Sequence, residues 1–512
     1  MITDPFKTEK FRYSCKSILN KLGESFKNFS EVNVALLDHR GDLIEVTGSN
    51  PLHFASFEFC SKAIKKYITP KHGEILITND PYSGNTRLCD LFFIQGAFGK
   101  SQANDLRYYL VLQVSVPQLL NKNLKTLFTT VEDEGYRIPP TPLDVQGLVN
   151  PALLDYLCQS GMNRDELMQL IGEVKIRLKE ATEQTIQIET TIGSDKVSKI
   201  ITELRTYSED RMRSALLEIP DGEYLAHDYL DNDGYDSSPI RIQCQLTCQG
   251  HNILLSFAGS SKQTKGPMNL NYATTLGACF WIIRSLVKED IPVNSGAFKA
   301  FSIEAPEGTI VNARYPAPML GGYFETSKRI VDVIMSCLSK ALPLEIPALS
   351  GGSSNVTLMK SGDQLFVDAI GCGVGASRDH QGSDCIQTNL HNTSLTSIEV
   401  LEKTYPLQVT HCSIRDSSGA TGKKSGGNGI TRGYKFLKPT TLMLLSDRRH
   451  YKPHSLFGGV SGLPGENVVI KSGEKKKIHN EKKVIEMNPG DTLIINTPGG
   501  GAWGKEEIQV EN

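Results

Sequence analysis

Apolar positions recur along the chain with two periods, and the change from one period to the other marks its parts. Between residues 8 and 28, Phe11, Cys15, Ile18, Leu19 and Leu22 fall three or four apart, which predicts a helix. Two strand-type runs, 32–37 and 43–46, then flank the turn Asp38-His39-Arg40-Gly41-Asp42. A second helix is predicted over residues 54–67, with Phe57, Cys60, Ala63, Ile64 and Tyr67 on one side and Pro70 and Gly73 closing it. Residues 108–116 form an unbroken apolar run of strand length, the pattern of a strand covered on both faces.

Residues 129–142 are acidic and proline-rich and read as an ordered loop, whereas 151–212 are rich in helical spacing. Within the latter, residues 165–211 read as a long amphipathic segment with Leu167, Leu170, Ile171, Val174, Ile176 and Leu178 as apolar positions, a bundle helix or an arm on a partner. After Pro220-Asp221-Gly222 the period becomes two, with strands at 224–229, 240–247 and 252–257, then helices at 274–287 and 325–342. Residues 351–376 return to strand and glycine-rich turns, and from about 401 short strands and frequent glycines suggest a sandwich or barrel-like end. The expected organisation is a multi-domain α+β chain: a mixed α/β part (1–150), a helical segment (151–214), a central α/β part (215–400) and a β-rich part (401–512).

Composition narrows the classes. In 512 residues, 55 Lys and Arg nearly balance 57 Asp and Glu, so no net field draws nucleic acid or anionic lipid to the chain. No signal peptide or membrane span is read, the most apolar run, 277–287, being interrupted by Arg284. The 11 cysteines have no CxxC spacing, which fits buried, reduced thiols in a cytoplasmic protein. Lys475, Lys476 and Lys477 with Lys482 and Lys483 read as a solvated hairpin tip. Gly371-Cys372-Gly373-Val374-Gly375 and Gly499-Gly500-Gly501 lack the lysine of a P-loop and read as turns needing positive φ. No Gly-x-Ser-x-Gly elbow or His-Glu-x-x-His pair is present, so serine-hydrolase and zincin readings have no anchor.

The densest candidate chemistry is in the stretch from Ile77 to Asp90, where Asn79, Asp80, Arg87 and Asp90 sit between two apolar strand-type runs. A second candidate is Glu325, Lys328, Arg329 and Asp332, spaced to share one face of a helix and either orient a polar substrate or form a surface ion-pair ladder.

Six ordered blocks, among them Asn79-Asp80-Pro81-Tyr82, Glu134-Gly135-Tyr136-Arg137-Ile138-Pro139-Pro140, Gly321-Gly322 with Glu325-Thr326-Ser327, and Leu445-Ser446-Asp447-Arg448-Arg449, resemble the hydantoinase B/oxoprolinase family from about residue 4 to 504. The resemblance implies a cytoplasmic B-type subunit in a hetero-oligomer with an ATP-binding hydantoinase A-type subunit. ATP would act through that partner, which phosphorylates a cyclic amide or a ketone. The B-type subunit then completes ring opening, or carboxylation in acetone and acetophenone carboxylase relatives.

The family loop carries His and Asp as metal ligands. Here Asp90 is kept, the His position is Arg87, the following strand Gln113-Val114-Ser115-Val116-Pro117-Gln118 has no histidine, and Asn389 replaces a further His, with His391 two residues on. A guanidinium has no lone pair to donate, so no metal is expected there. Two readings follow. In one, Arg87 is a fixed cation that clamps an oxyanion while Asp90, His53 or Glu134 handles protons, and Asp80, Arg137, Glu325, Arg329 and Asp332 bind substrate. In the other, the chain is a catalytically silent paralogue that keeps the fold and the partner interface.

Overall fold

The computed structural model describes residues 4–99, 105–145, 147–478 and 482–505. The amino-terminal part is built on one antiparallel sheet of six strands, β1 (Val32–Asp38), β2 (Leu43–Gly48), β3 (Ile75–Thr78), β4 (Asp90–Phe98), β5 (Leu106–Ser115) and β6 (Thr141–Pro142), in the order β2-β1-β5-β4-β3-β6. Alternate side chains of each strand enter different cores. Val34, Leu36, Phe93, Leu110 and Leu112 pack under helix α1 (Pro5–Glu24) and helix Arg164–Ile192, while Ala35, Leu37, Phe92, Ile94 and Val111 pack under helix α2 (Phe54–Tyr67). Cover on both faces accounts for the unbroken apolar run of β5.

Several local expectations are revised. The amphipathic run 165–211 is two helices, Arg164–Ile192 and Ser194–Leu216, because Gly193 at φ +98° ends the first. The loop expected at 129–142 contains a capped turn of helix, Val131–Glu134: Thr130 accepts from the Asp133 amide while the Asp133 carboxylate accepts from the Thr130 amide. Glycines 371, 373, 375 and 499–501 are needed for close backbone approach rather than positive φ; a Cβ on Gly500 would lie 2.0 Å from the carbonyl oxygen of Val374.

The central sheet (Gly222–Leu230, Ile240–Gln249, Asn252–Ser256, Ser302–Glu304) packs on helix Thr326–Ala341, which in turn packs on helix Tyr272–Ser285. The carboxy-terminal part stacks a four-stranded on a five-stranded sheet around Met359, Phe366, Leu442, Ile430, Tyr434 and Leu493. Strands Thr357–Ser361 and Gln364–Asp368 share the four-stranded sheet with Thr440–Leu444 and Lys483–Met487, so the division expected near residue 400 runs through a sheet. All 11 cysteines are free and eight are buried. No described helix is long and apolar enough to cross a membrane.

Central and carboxy-terminal parts are tied by buried charge. Arg329 donates to Asp228 at 3.0 Å and to Asp447 at 3.1 Å; Arg448 donates to Asp332 at 2.6 Å and pairs with Asp228 at 2.8 Å. Lys482 completes the group on Asp447 at 2.7 Å, giving three cations against three carboxylates. The helix positions expected to form a substrate face or a surface ladder are thus interior, and Lys482, expected at a solvated tip, is buried. A helical face is read as solvated when it is charged, and the sequence does not show the partners that compensate the charge.

Breaking a buried pair leaves an uncompensated charge. Arg329→Met is expected to cost about 3–5 kcal/mol of stability, read as a lower urea midpoint. An unchanged midpoint would show that the three carboxylates do not depend on Arg329.

Candidate functional site

The Ile77–Asp90 stretch is an interior loop. Asn79 donates to the carbonyls of Leu88 and Tyr136, Asp80 accepts from the Tyr82 amide at 3.0 Å, Gly84 turns the chain at φ +94°, and Asn85 donates to the Asp90 carbonyl. These bonds deliver Arg87 and Asp90 to the start of β4.

Strand register sets what they meet. Asp90 lies opposite Ser115 in β5, Val32 lies opposite Val114 on the other side of β5, and the Ser115 amide donates to the Glu31 carbonyl. Glu31 and Asp90, far apart in sequence, therefore flank the same end of one strand. Arg87 fills the space between them: Nη2 donates to Glu31 Oε2 at 2.7 Å and to Asp90 Oδ1 at 2.8 Å, and Nε to Asp90 Oδ2 at 2.8 Å. Neither carboxylate uses Nη1. The guanidinium carbon lies 3.9 Å from the ring centroid of Tyr323.

His53, fully buried, stands beside this group. Its Nε2 lies 3.1 Å from both Glu31 Oε2 and Tyr323 Oη, and its Nδ1 lies 3.0 Å from Thr86 Oγ1, which donates to Asp90 at 2.7 Å. A polar row continues from Asp90 to Gln113, Asn33 and Asn50, and Asn50 donates to Tyr323 Oη. Burial raises the Glu31 pKa, but the Arg87 guanidinium and the His53 hydrogen bond outweigh it and hold the carboxyl well below the usual range. Burial opposes the Arg87 charge as well, and Asp90, Cys89 and Glu31 overcome it.

The nine residues expected to act fall into four places. Arg87, Asp90 and His53 come together. Asp80 and Arg137 form a two-pronged ion pair (2.8 and 3.1 Å) over the tyrosines 82 and 315. Glu134 binds the amides of Met319 and Leu320 at 2.7 and 2.6 Å, and Arg329 and Asp332 belong to the buried charge group, with Glu325 one turn before it on the Ser354 amide. Sequence reasoning missed Glu31 and Tyr323; a lone acid opening an apolar strand was the available signal for Glu31.

The expectation of no metal is not supported. It counted Asp90 alone, whereas Glu31, His53 and Asp90 place one ligand atom each within 4.8 Å of one another. Two carboxylates and an imidazole suit Mn, Fe or Zn. Arg87 is bonded to both carboxylates, so an ion and the guanidinium compete for the same donors.

Residues 4–506 match the hydantoinase B/oxoprolinase family profile. The chain belongs to the hydantoinase B/oxoprolinase family. Among its relatives are an uncharacterized protein of Methanocaldococcus jannaschii (30% identical, 94% of this chain and 85% of the relative) and a putative B subunit of a D-/L-hydantoinase from Pseudomonas sp. strain NS671 (25%, 98% and 90%). The 5-oxoprolinase of Dictyostelium discoideum is 25% identical over 99% of this chain, which spans only 41% of that protein. The fold is that of the ATP-dependent caprolactamase of Pseudomonas jessenii (TM-score 0.86, 20% identity, 99% of this chain and 93% of that chain) and of acetone carboxylase (0.85, 15%, 99% and 77%). The hydantoinase B/oxoprolinase family includes ATP-dependent hydrolases of cyclic amides.

Two outcomes test this geometry. Arg87→Ala is expected to raise the Mn or Zn bound per chain, measured by elemental analysis, and Asp90→Ala to lower it in either background; equal content with and without Arg87 would show that ion and guanidinium do not compete. The second concerns Glu134. Burial pushes its carboxyl up to about 8, against the two amide hydrogen bonds, from an ordinary value of 4.5. The folded chain thus holds a proton that the unfolded chain has released between these values, and this contribution to stability, full below about pH 4, is lost as pH rises through 8. Glu134→Gln keeps the carbonyl acceptor, so its stability relative to the native chain is expected to rise from pH 5 to 8; a flat difference would show that Glu134 is ionised in the fold.

Proposed function

We propose that the chain is the B-type subunit of an ATP-dependent cyclic-amide hydrolase of the hydantoinase or 5-oxoprolinase kind, working with an A-type subunit that phosphorylates the amide oxygen. The carrying observation is the Arg87 clamp, a permanent cation fixed by Glu31 and Asp90 with Nη1 used by neither carboxylate. The hydantoinase B subunit among the relatives supports a two-subunit arrangement.

In this reading the phosphorylated ring carbon sits at Nη1. Water adds to that carbon and passes a proton into the Glu31–His53–Asp90 group; the ring C–N bond breaks as the nitrogen takes up a proton, leaving an amine and an acyl phosphate. A second water converts the acyl phosphate to carboxylate and inorganic phosphate. Arg87 stabilises the carbonyl oxygen that gains charge when the second water adds to the acyl phosphate. His53, between Glu31 and Thr86, is the group through which a proton reaches either carboxylate. A bound divalent ion, held by Glu31, His53 and Asp90, would supply Lewis acidity at the same place. Glu134, Asp80 and Arg137 act as positioning residues, since they fix loops and helix ends.

A second reading, a silent structural subunit, is favoured by one observation: Arg87 already satisfies both carboxylates. The carboxylase reading is supported by the likeness of fold to acetone carboxylase. Co-purification of the native chain with its partner, followed by assay with ATP and a panel of hydantoins and 5-oxoproline, with and without bicarbonate, separates the three. Ring opening coupled to ATP, lowered about 10²–10³-fold in kcat by Arg87→Ala, is the expected result. Turnover dependent on bicarbonate would select the carboxylase, and no turnover with an intact complex the silent subunit.

A further inference from the structure

Helix α1 and helix Arg164–Ile192 cover the same face of the amino-terminal sheet and pack on each other, but the line between them is not filled. A groove of about 710 Å³ stays open there. Its floor is apolar: Phe11 and Ile18 of α1 are buried beneath it, and Ile188 and Ile192 of the longer helix are only partly covered. Its rim is basic. Lys7 and Lys10 of α1 and Lys196 in the first turn of helix Ser194–Leu216 line it, and among the described residues no carboxylate does. The acids of α1, Glu9 and Glu24, line the groove on the other flank of that helix instead.

Shape and charge together choose what fits. Along α1 the lining runs from Lys7 to Ile18, a rise of about 16 Å, which is the length of three turns of helix. On the crest of α1 beside it, Phe6 and Tyr13 are 79% and 73% exposed and, seven residues apart, share one face. A helix laid in the groove would seat an apolar stripe on the floor and against Tyr13, and turn its flanks to the lysines. Lys7 is met by Asp4 at 2.7 Å, whereas Lys10 and Lys196 have no ion-pair partner among the described residues. Carboxylates on the flanks of the incoming helix would meet these cations. A second copy docking its own α1 would set lysine against lysine, which charge repulsion disfavours.

We propose that the groove between α1 and helix Arg164–Ile192 is the docking site for an acidic amphipathic helix of a partner protein. That the partner is the A-type subunit rests on the cyclic-amide reading; the preference for an acidic helix does not. The position suits a subunit that must leave the Arg87 cluster open. Asp90 and Gln113 point to the sheet face shared by Phe92, Ile94 and Val111, while the groove lies over the face of Leu91, Phe93 and Leu112. A helix docked on one face therefore does not cover the cluster on the other.

The test uses the full native chain and two synthetic helical peptides of about four turns, both with a leucine stripe, one flanked by glutamates and the other by lysines. Fluorescence anisotropy is expected to show saturable binding of the glutamate peptide, near one per chain, and binding of the lysine peptide about tenfold weaker or less. Lys10→Glu combined with Lys196→Glu is expected to reverse that order. Both side chains are exposed, so the melting temperature is expected to stay unchanged. Tyr13→Ser is expected to weaken both peptides alike, since the ring contact carries no charge. Binding of neither peptide by the native chain, or an order that the double charge reversal leaves unaltered, overturns the proposal. In the co-purified complex the same reversal is expected to weaken association with the A-type subunit. A complex indifferent to it, with the peptide preference as expected, would keep the docking site and count against the A-type subunit as its partner.

Discussion

A charge withdrawn from water must be met by an opposite charge at hydrogen-bond distance, and two places among the described residues where arginine is buried between carboxylates organise the rest of the chain. At Arg329 and Arg448 three cations meet three carboxylates contributed by strand Gly222–Leu230, helix Thr326–Ala341 and the segment after strand Thr440–Leu444. Each element is held because removing it would strand the others' charges, a penalty larger than the attraction of any one pair. At Arg87 the same rule joins the start of β1, the Ile77–Asp90 loop and the ring of Tyr323. Mutual dependence of this kind fixes relative position more sharply than apolar contact, which tolerates sliding.

Much of the architecture was legible because it is local. Helix α2 follows from the spacing of Phe57, Cys60 and Ile64, and the two-sided cover of β5 from its lack of alternation. The Ile77–Asp90 loop was legible as chemistry because turn formers and charged residues crowd between two apolar runs. Glu31 and Tyr323 were not legible, for a physical reason: they reach Arg87 through the register of β1 on β5 and through packing of helix Leu320–Phe324, and neither is written in sequence spacing. The same blindness to partners left Arg329 and Asp332 open between a substrate face and a surface ladder and placed Lys482 at a solvated tip, when each has a buried counter-charge.

The two neighbouring groups divide electrostatic labour across Tyr323. On one side Arg87 is saturated by carboxylates; on the other Lys328, whose charge burial disfavours, faces Glu325 and Asp332 and makes one long hydrogen bond, to Gln387, among the described residues. His391 lies between them, held neutral by burial and by the Lys328 charge.

With Arg87 in the cluster, what that cluster can do is bounded by what a guanidinium is. It supplies permanent charge and directed hydrogen bonds, but it cannot accept a proton, coordinate water or change its charge. Stabilising an oxyanion lies within that range; generating hydroxide from water does not. The proton of an attacking water must then go to a group that can take it, and Glu31, His53 and Asp90 are the candidates bonded to one another here. Glu31 is a weak base for a carboxylate, because Arg87 and His53 hold its carboxyl low against the effect of burial. The same clamp that makes Arg87 a rigid cation thus draws basicity from its neighbours, and any event that pulls Arg87 toward an incoming phosphate or carboxylate returns basicity to Glu31 at the moment a proton has to be accepted.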